Sequence, residues 1–256
     1  MPSNHLESFS GINTPIDLRG MKPLETDSLF PLLKLDVTKA KTQIRTLIQP
    51  DYSHIILFAH STTQDNEDNI FSGQRDPHLT EEGKQEAQTY ADVLSVVPIH
   101  HIYHSPLTRS QQTAQPIINN NPTATVYERL ALIERSYGQL EGRTKTDDSK
   151  DIYQACKQFD VAPPGGESLH MVQQRIMTPL ANILQRASQA INNLAVVTHA
   201  NTTRVLVKVM TNLHRQHTSA IGAVRHTFFI FRISPPNIIL LPAIKLLPPN
   251  NQESTA

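Results

Sequence analysis

The sequence predicts an α/β fold, a three-layer sandwich with a mostly parallel central sheet flanked by helices. Three observations lead there. Apolar runs of strand length alternate with helical patterns along the chain. Two of these runs, "HIILFAH" (54–60) and "NLAVVTHA" (193–200), read as buried strands that end in histidine. Glycine is scarce, nine in 256 residues, and six of the nine fall in four short stretches beside polar residues: Gly73, Gly83, Gly138 with Gly142, and Gly165 with Gly166. In open α/β sheets ligands bind beyond the carboxyl ends of the strands. His60 and His199 are expected at that edge.

In chain order, residues 1–50 read as an N-terminal extension, partly helical. The first 26 or so are polar and irregular, and "TDSLFPLLKLDVTKAKTQIRTLI" has mixed apolar spacing suited to one or two helices. The domain is set at 51–245 and a flexible tail at 246–256. "HIILFAH" opens the domain as its first strand. "LTEEGKQEAQTYADVLSVV" reads as a helix with Thr80 as N-cap and Glu81 and Glu82 in the first turn. "HHIYHS" (100–105) is the second strand, and a helix opens at Pro106, a favourable first-turn proline. "SLHMVQQRIMTPLANILQRASQAI" is a long helix expected to bend near Pro179. After "NLAVVTHA", "TTRVLVKVMT" starts another helix. "TFFIFRI" and "NIILLPAI" are the last two strands.

Bulk composition excludes some classes. Lysine plus arginine equals aspartate plus glutamate, 23 against 23, so net charge recommends neither a nucleic-acid nor a membrane partner. The single cysteine, Cys156, rules out an internal disulfide framework and suits a reducing compartment. The first residues show no basic segment followed by an apolar core, so no secretory signal is expected. The most apolar stretch, from Thr227, is broken by Arg232, Pro235, Pro236, Pro242 and Lys245. It is too interrupted for the roughly 20 apolar residues of a membrane helix. The cytoplasm is the expected location, with export through a machine that reads the tail "NNQESTA" left open. Composition is silent on oligomeric state.

Singly, a histidine at a strand end or an arginine in a first helical turn is weak evidence. Their order is specific. "AHSTTQDN", "FSGQRDPHLTEEGKQEA", "YHSPLTRSQQTA", "IERSYGQLEG", "PPGGESL" and "VVTHANTTRVLVKVM" form six ordered blocks from about Ile55 to Met210. Together they resemble the histidine phosphatase superfamily, the phosphoglycerate mutase-like proteins. The resemblance implies His60 as a nucleophile that becomes phosphohistidine, since a neutral imidazole held at its other nitrogen can attack phosphorus. It implies Arg109 and Asn66 as phosphate-binding groups and His199 as the second histidine of the phosphate pocket. Glu134 would protonate the leaving oxygen and then activate water. Arg75, Arg135 and Asn201 are candidate substrate-binding residues. No cofactor is implied, and no metal, because no residues show metal-ligand spacing. The partner is a phosphorylated small molecule or a phosphoprotein.

Two blocks, "ERSYGQLEG" and "HANTTRVLVK", are similar to the mutase branch. Mutases of this family, however, carry a longer insert after the glutamate segment, with an Arg-Arg pair. "RTKTDDSKDIYQACKQFDVA" is short and has no such pair. A phosphatase is therefore expected rather than a glycolytic mutase, with the region from Arg143 to Val161 able to cover the pocket. One departure bears on activity: Ala59 and Ser61 flank His60 where the family has Arg-His-Gly. Losing one preorganised donor of this kind typically costs about 10²–10³ in rate. Two readings follow. Either a nearby cation such as Arg75 or Arg135 fills in and the protein is a phosphohydrolase of phosphomonoesters, with reduced or altered activity. Or it is a catalytically impaired pseudophosphatase that serves as a phospholigand- or protein-binding module.

Overall fold

A computed structural model of the chain describes residues 31–222, 224–235 and 237–248. Eight strands form one sheet: β1 (Leu32–Leu35), β2 (Ser53–Ala59), β3 (His101–His104), β4 (Thr125–Glu128), β5 (Asn193–Thr198), β6 (Thr227–Ser234), β7 (Asn237–Leu240) and β8 (Ala243–Leu246). Their spatial order is β1-β8-β6-β2-β5-β3-β4, with β7 beside β6. The pairs β2–β5, β5–β3, β3–β4 and β1–β8 are parallel, and β6 runs antiparallel to β2, β7 and β8.

Both faces of the sheet are covered, which is why its central strands read as unbroken apolar runs rather than alternating ones. Ile55 and Leu57 of β2, Leu194 and Val196 of β5, and Phe229 and Phe231 of β6 pack in one core with α6 (Leu169–Gln189) and α7 (Ala200–Met210). Ile56, Phe58, Ala195, Val197, Phe228 and Ile230 point the other way. They meet α1 (Val37–Leu47), α3 (Glu81–Leu94) and α4 (Thr108–Asn120) in a second core. Two short helices, α2 (Gln64–Glu67) and α5 (Asp147–Ala155), lie in the connections. The expected three layers and the mostly parallel sheet are therefore present. No described helix is long and apolar enough to cross a membrane.

Several boundaries move. Residues 31–50 are not an appendage: β1 pairs in parallel with β8, and α1 packs Ala40 and Ile44 into the second core. Asp36 starts α1 by accepting from Lys39 N at 2.8 Å. The boundary at 246 also falls within the fold, because Leu246 is in β8 and Leu247 N donates to Leu35 O. The irregular stretch read at 1–26 and the tail from 249 lie outside the described residues. The apolar run near the carboxyl end forms three strands, not two, because Leu241 and Pro242 divide "NIILLPAI". Helix α4 begins at Thr108, not at Pro106. Helix α6 continues through Pro179, and Thr80 caps α3 with its Oγ1 accepting from Gly83 N at 3.1 Å.

The sheet order sets the site. β2, β5 and β3 lie side by side with their carboxyl ends level: Ala59 pairs with Thr198, and Val197 pairs with His104. His60, His199 and the Ser105–Arg109 turn therefore leave the sheet together.

Candidate active site

His60 follows β2, its backbone N donating to Thr198 O at 2.8 Å. Its Nδ1 lies 2.7 Å from Ser61 O, and Nε2 lies 3.1 Å from Arg109 Nε. Arg109 can only donate, and a carbonyl can only accept. These contacts fix the tautomer: Nδ1 carries the hydrogen, and the Nε2 lone pair accepts from Arg109. The ring opens partly onto the cavity and is closed in by protein elsewhere. Desolvation there, and next the Arg109 charge, hold its pKa well below the usual histidine value. The imidazole is neutral, as a nucleophile must be.

His199, wholly buried, stands with its ring centroid 5.1 Å from that of His60. Its Nε2 is 2.8 Å from Ser105 Oγ, which also accepts from Leu107 N at 3.3 Å. A serine hydroxyl that donates its hydrogen to Nε2 puts the His199 hydrogen on Nδ1. That Nδ1 is buried with no hydrogen-bond partner. Burial, then Arg109 and His60, keep His199 neutral too. A buried donor without an acceptor is costly.

Arg109, in the first turn of α4, is fully buried. Besides His60 it donates through Nη1 to Arg75 O at 2.6 Å and through Nη2 to Gly73 O at 2.8 Å. Gly73 presents that carbonyl from φ +51°, a left-handed conformation that side chains disfavour. Glu134 is buried beside the amino end of α7. Its carboxylate accepts from Arg135 N at 2.7 Å and from Asn201 N at 3.3 Å. Asn66 accepts from Thr63 N at 3.1 Å through Oδ1, which leaves its NH₂ as the end available to an anion.

His60, Arg109, Glu134 and Asn66 border a cavity of about 350 Å³ whose lining also includes Ala59, Ala200 and Asn201; His199 is buried beside His60 and is not part of the lining. Asn201 Nδ2 donates to Tyr137 Oη at 3.1 Å on its wall. Phe71, Tyr137 and Tyr153 give the cavity an aromatic side, and Arg204, Lys145 and Arg225 add positive charge. Lys145 and Tyr153 come from the 143–161 region, as expected of a segment covering the pocket. Among the described residues no cluster of three His, Cys, Asp or Glu is arranged to hold a metal ion.

Two expected residues are elsewhere. Arg135 is 2 % exposed and turns away from the cavity. It donates to Glu167 O at 2.5 Å, Cys156 O at 2.7 Å and Val161 O at 2.8 Å. It ties the Arg143–Val161 segment to the domain and does not line the cavity. Arg75 contributes its carbonyl to Arg109, but its side chain is half exposed and pairs with Asp65 at 3.3 Å, outside the cavity lining. Neither side chain lines the cavity beside Ala59. Arg225 escaped sequence reading because it stands alone in a turn without a motif. Lys145 gave only the signal of lying in a covering segment.

The chain is similar to known proteins over this region. The 2,3-bisphosphoglycerate-dependent phosphoglycerate mutase of Rhizobium johnstonii is 31% identical over 195 residues, 72% of this chain and 92% of that protein. The mutase of the same name from Parvibaculum lavamentivorans is 29% identical over 178 residues, 66% of this chain and 84% of that protein. Among solved structures, a mycobacterial glucosyl-3-phosphoglycerate phosphatase matches with TM-score 0.65 at 21% identity, over 73% of this chain and 96% of that chain. The alpha-ribazole phosphatase of Shigella flexneri matches with TM-score 0.65 at 22% identity, over 74% of this chain and 95% of that chain. At such identities the structural likeness speaks for the fold alone. The family model of the histidine phosphatase superfamily (branch 1) matches residues 55–236, and the chain belongs to that superfamily.

Proposed function

We propose that the protein is a phosphohydrolase that cleaves phosphomonoesters through a phosphohistidine on His60. The observation that carries this reading is the neutral His60, whose Nε2 lone pair sits under the Arg109 N–H beside the unpartnered Nδ1 of His199. A phosphoryl group entering there takes the Arg109 hydrogen bonds and the His199 Nδ1 hydrogen onto its oxygens. Nε2 is released to attack phosphorus, a P–N bond forms, and the ester P–O bond breaks. Glu134 gives its proton to the leaving oxygen. In the second step Glu134 takes a proton from water, the water oxygen bonds to phosphorus, and the P–N bond breaks to release phosphate.

The cavity volume falls in the range of small-ligand sites, which favours a phosphorylated small molecule over a phosphoprotein. The sequence relatives' name supports a second reading, a mutase. The missing Arg-Arg pair in the 143–161 segment weighs against it. Ala59 favours a third, the non-catalytic phospholigand-binding module.

Hydrolysis of para-nitrophenyl phosphate, without added metal, is measured beside His60→Ala, together with conversion of 3-phosphoglycerate to 2-phosphoglycerate in the presence of 2,3-bisphosphoglycerate. Turnover lost in His60→Ala, with an acid-labile phosphoenzyme in the wild type, is the expected outcome. Fast isomerisation would establish the mutase instead. Phosphate binding without either turnover would establish the binding module.

A further inference from the structure

We propose that Arg225 is the phosphate-binding cation that makes up for Ala59, reaching the phosphoryl site from the neighbouring strand instead of from the strand that carries His60. The inference rests on the reading of His60 as the phosphoryl acceptor. The sheet register supplies the geometry. β6 runs antiparallel to β2 with Leu57 opposite Phe229. Continuing that register two pairs past the end of β2 brings the turn before β6 alongside Ser61. Arg225 stands in that turn and lines the cavity with Ala59 and His60.

Its guanidinium is held in place. Nη2 donates to Thr62 Oγ1 at 2.5 Å, two residues beyond His60. The Thr62 hydroxyl donates to Glu86 at 2.9 Å, and Thr62 N donates to the same carboxylate at 2.8 Å. Glu86 thus fixes the hydroxyl so that it accepts from the arginine. Arg225 is also close enough to His60 for its charge to help hold that imidazole neutral. Lys145 shares the cavity, but its Nζ lies over the Phe71 ring at 5.5 Å, and burial together with the Arg225 charge disfavours its protonated form.

The backbone beside Arg225 is unusual. His226 has φ 59°, a left-handed conformation uncommon for a residue with a side chain. It turns His226 into a separate groove, where its ring meets Tyr90 Oη at 2.9 Å, while Arg225 stays on the cavity side. Strain of this kind persists where the surroundings over-determine it, and it clusters at functional sites.

The test compares wild type, Arg225→Gln, Arg225→Lys, Ala59→Arg and the Ala59→Arg/Arg225→Gln double variant. The readouts are kcat/KM on an aryl phosphate and the dissociation constant of inorganic phosphate by calorimetry, with thermal melting as the folding control. Arg225→Gln is expected to lower kcat/KM by about 10²–10³ and to weaken phosphate binding. Arg225→Lys keeps the charge without the planar fork and falls between. In the Arg225→Gln background Ala59→Arg restores at least an order of magnitude. A folded Arg225→Gln protein with wild-type kcat/KM and phosphate affinity overturns the proposal. If the wild type hydrolyses nothing, the phosphohydrolase reading fails, and phosphate affinity alone then decides. Binding that Arg225→Gln abolishes supports the role of Arg225. Equal binding, or none by the wild type, overturns it.

Discussion

His60 and Arg109 restrain one another before any ligand arrives. The arginine N–H caps the lone pair that would attack, and the same N–H is what an entering phosphoryl oxygen would take. Arg135, one residue from Glu134, has a different task. It satisfies three backbone carbonyls from a nearly fully buried position, and a buried acceptor left unpaired costs about 1–3 kcal/mol. Arg135→Met is therefore expected to destabilise the protein by about 1–3 kcal/mol, read from the denaturant midpoint, with KM for an aryl phosphate unchanged in the folded enzyme. A raised KM without loss of stability would return Arg135 to the substrate site. At this scale the sequence marked His60, Arg109, Glu134 and His199 as candidates, because each sits in a local motif at a strand end or a helix start. It also offered Arg135, whose neighbour in sequence faces the cavity while its own side chain turns inward. It hid Arg225, whose place follows from an antiparallel pairing across more than 160 residues.

The helices transmit sequence choices to the site through close contacts. Helix α3 touches the segment after His60 at Gly83, where an added Cβ would come 2.0 Å from Thr62 O. That carbonyl is held by Thr80 N at 3.0 Å. Alanine is favoured over glycine in a helix interior by about 1 kcal/mol, so propensity alone predicts that Gly83→Ala stabilises α3. The contact reverses the sign. A 2.0 Å approach to fixed backbone must displace the helix or the Thr62 segment, and overpacking of this kind costs about 1–3 kcal/mol. Gly83→Ala is expected to lower the denaturant midpoint and, by shifting Thr62, to reduce turnover. A stabilised and fully active variant would show that α3 moves freely at this end. Elements of strong period were legible: β2, β5, α3 and α6 each carry a long unbroken pattern. β1 and β4 were not, because four-residue edge strands with partly exposed side chains lack a period to read.

Over the whole molecule, burial on both sheet faces brings imidazoles away from water. The pKa values of His54, His60, His101, His199 and His226 are all lowered, and desolvation is the largest cause for each. Unfolding returns them to about 6.5. Below that value the unfolded chain binds protons that the folded chain refuses, so stability falls as pH falls. Above about 6.5 both states hold neutral imidazoles, and this contribution to the pH dependence vanishes. The loss therefore begins near pH 6.5 on acidification and continues toward the lowered folded values. Each fully suppressed group adds about 1.4 kcal/mol per pH unit across its window. Denaturant unfolding from pH 8 to pH 5 is expected to show a plateau above pH 7 and a decline below it. In His199→Gln, which removes the fully buried imidazole beside His60, the decline becomes shallower by up to about 1.4 kcal/mol per pH unit. Should the slopes of wild type and variant coincide, His199 would be taking up its proton in the folded state. An imidazolium would then stand beside His60 and add its positive charge to that of the arginines.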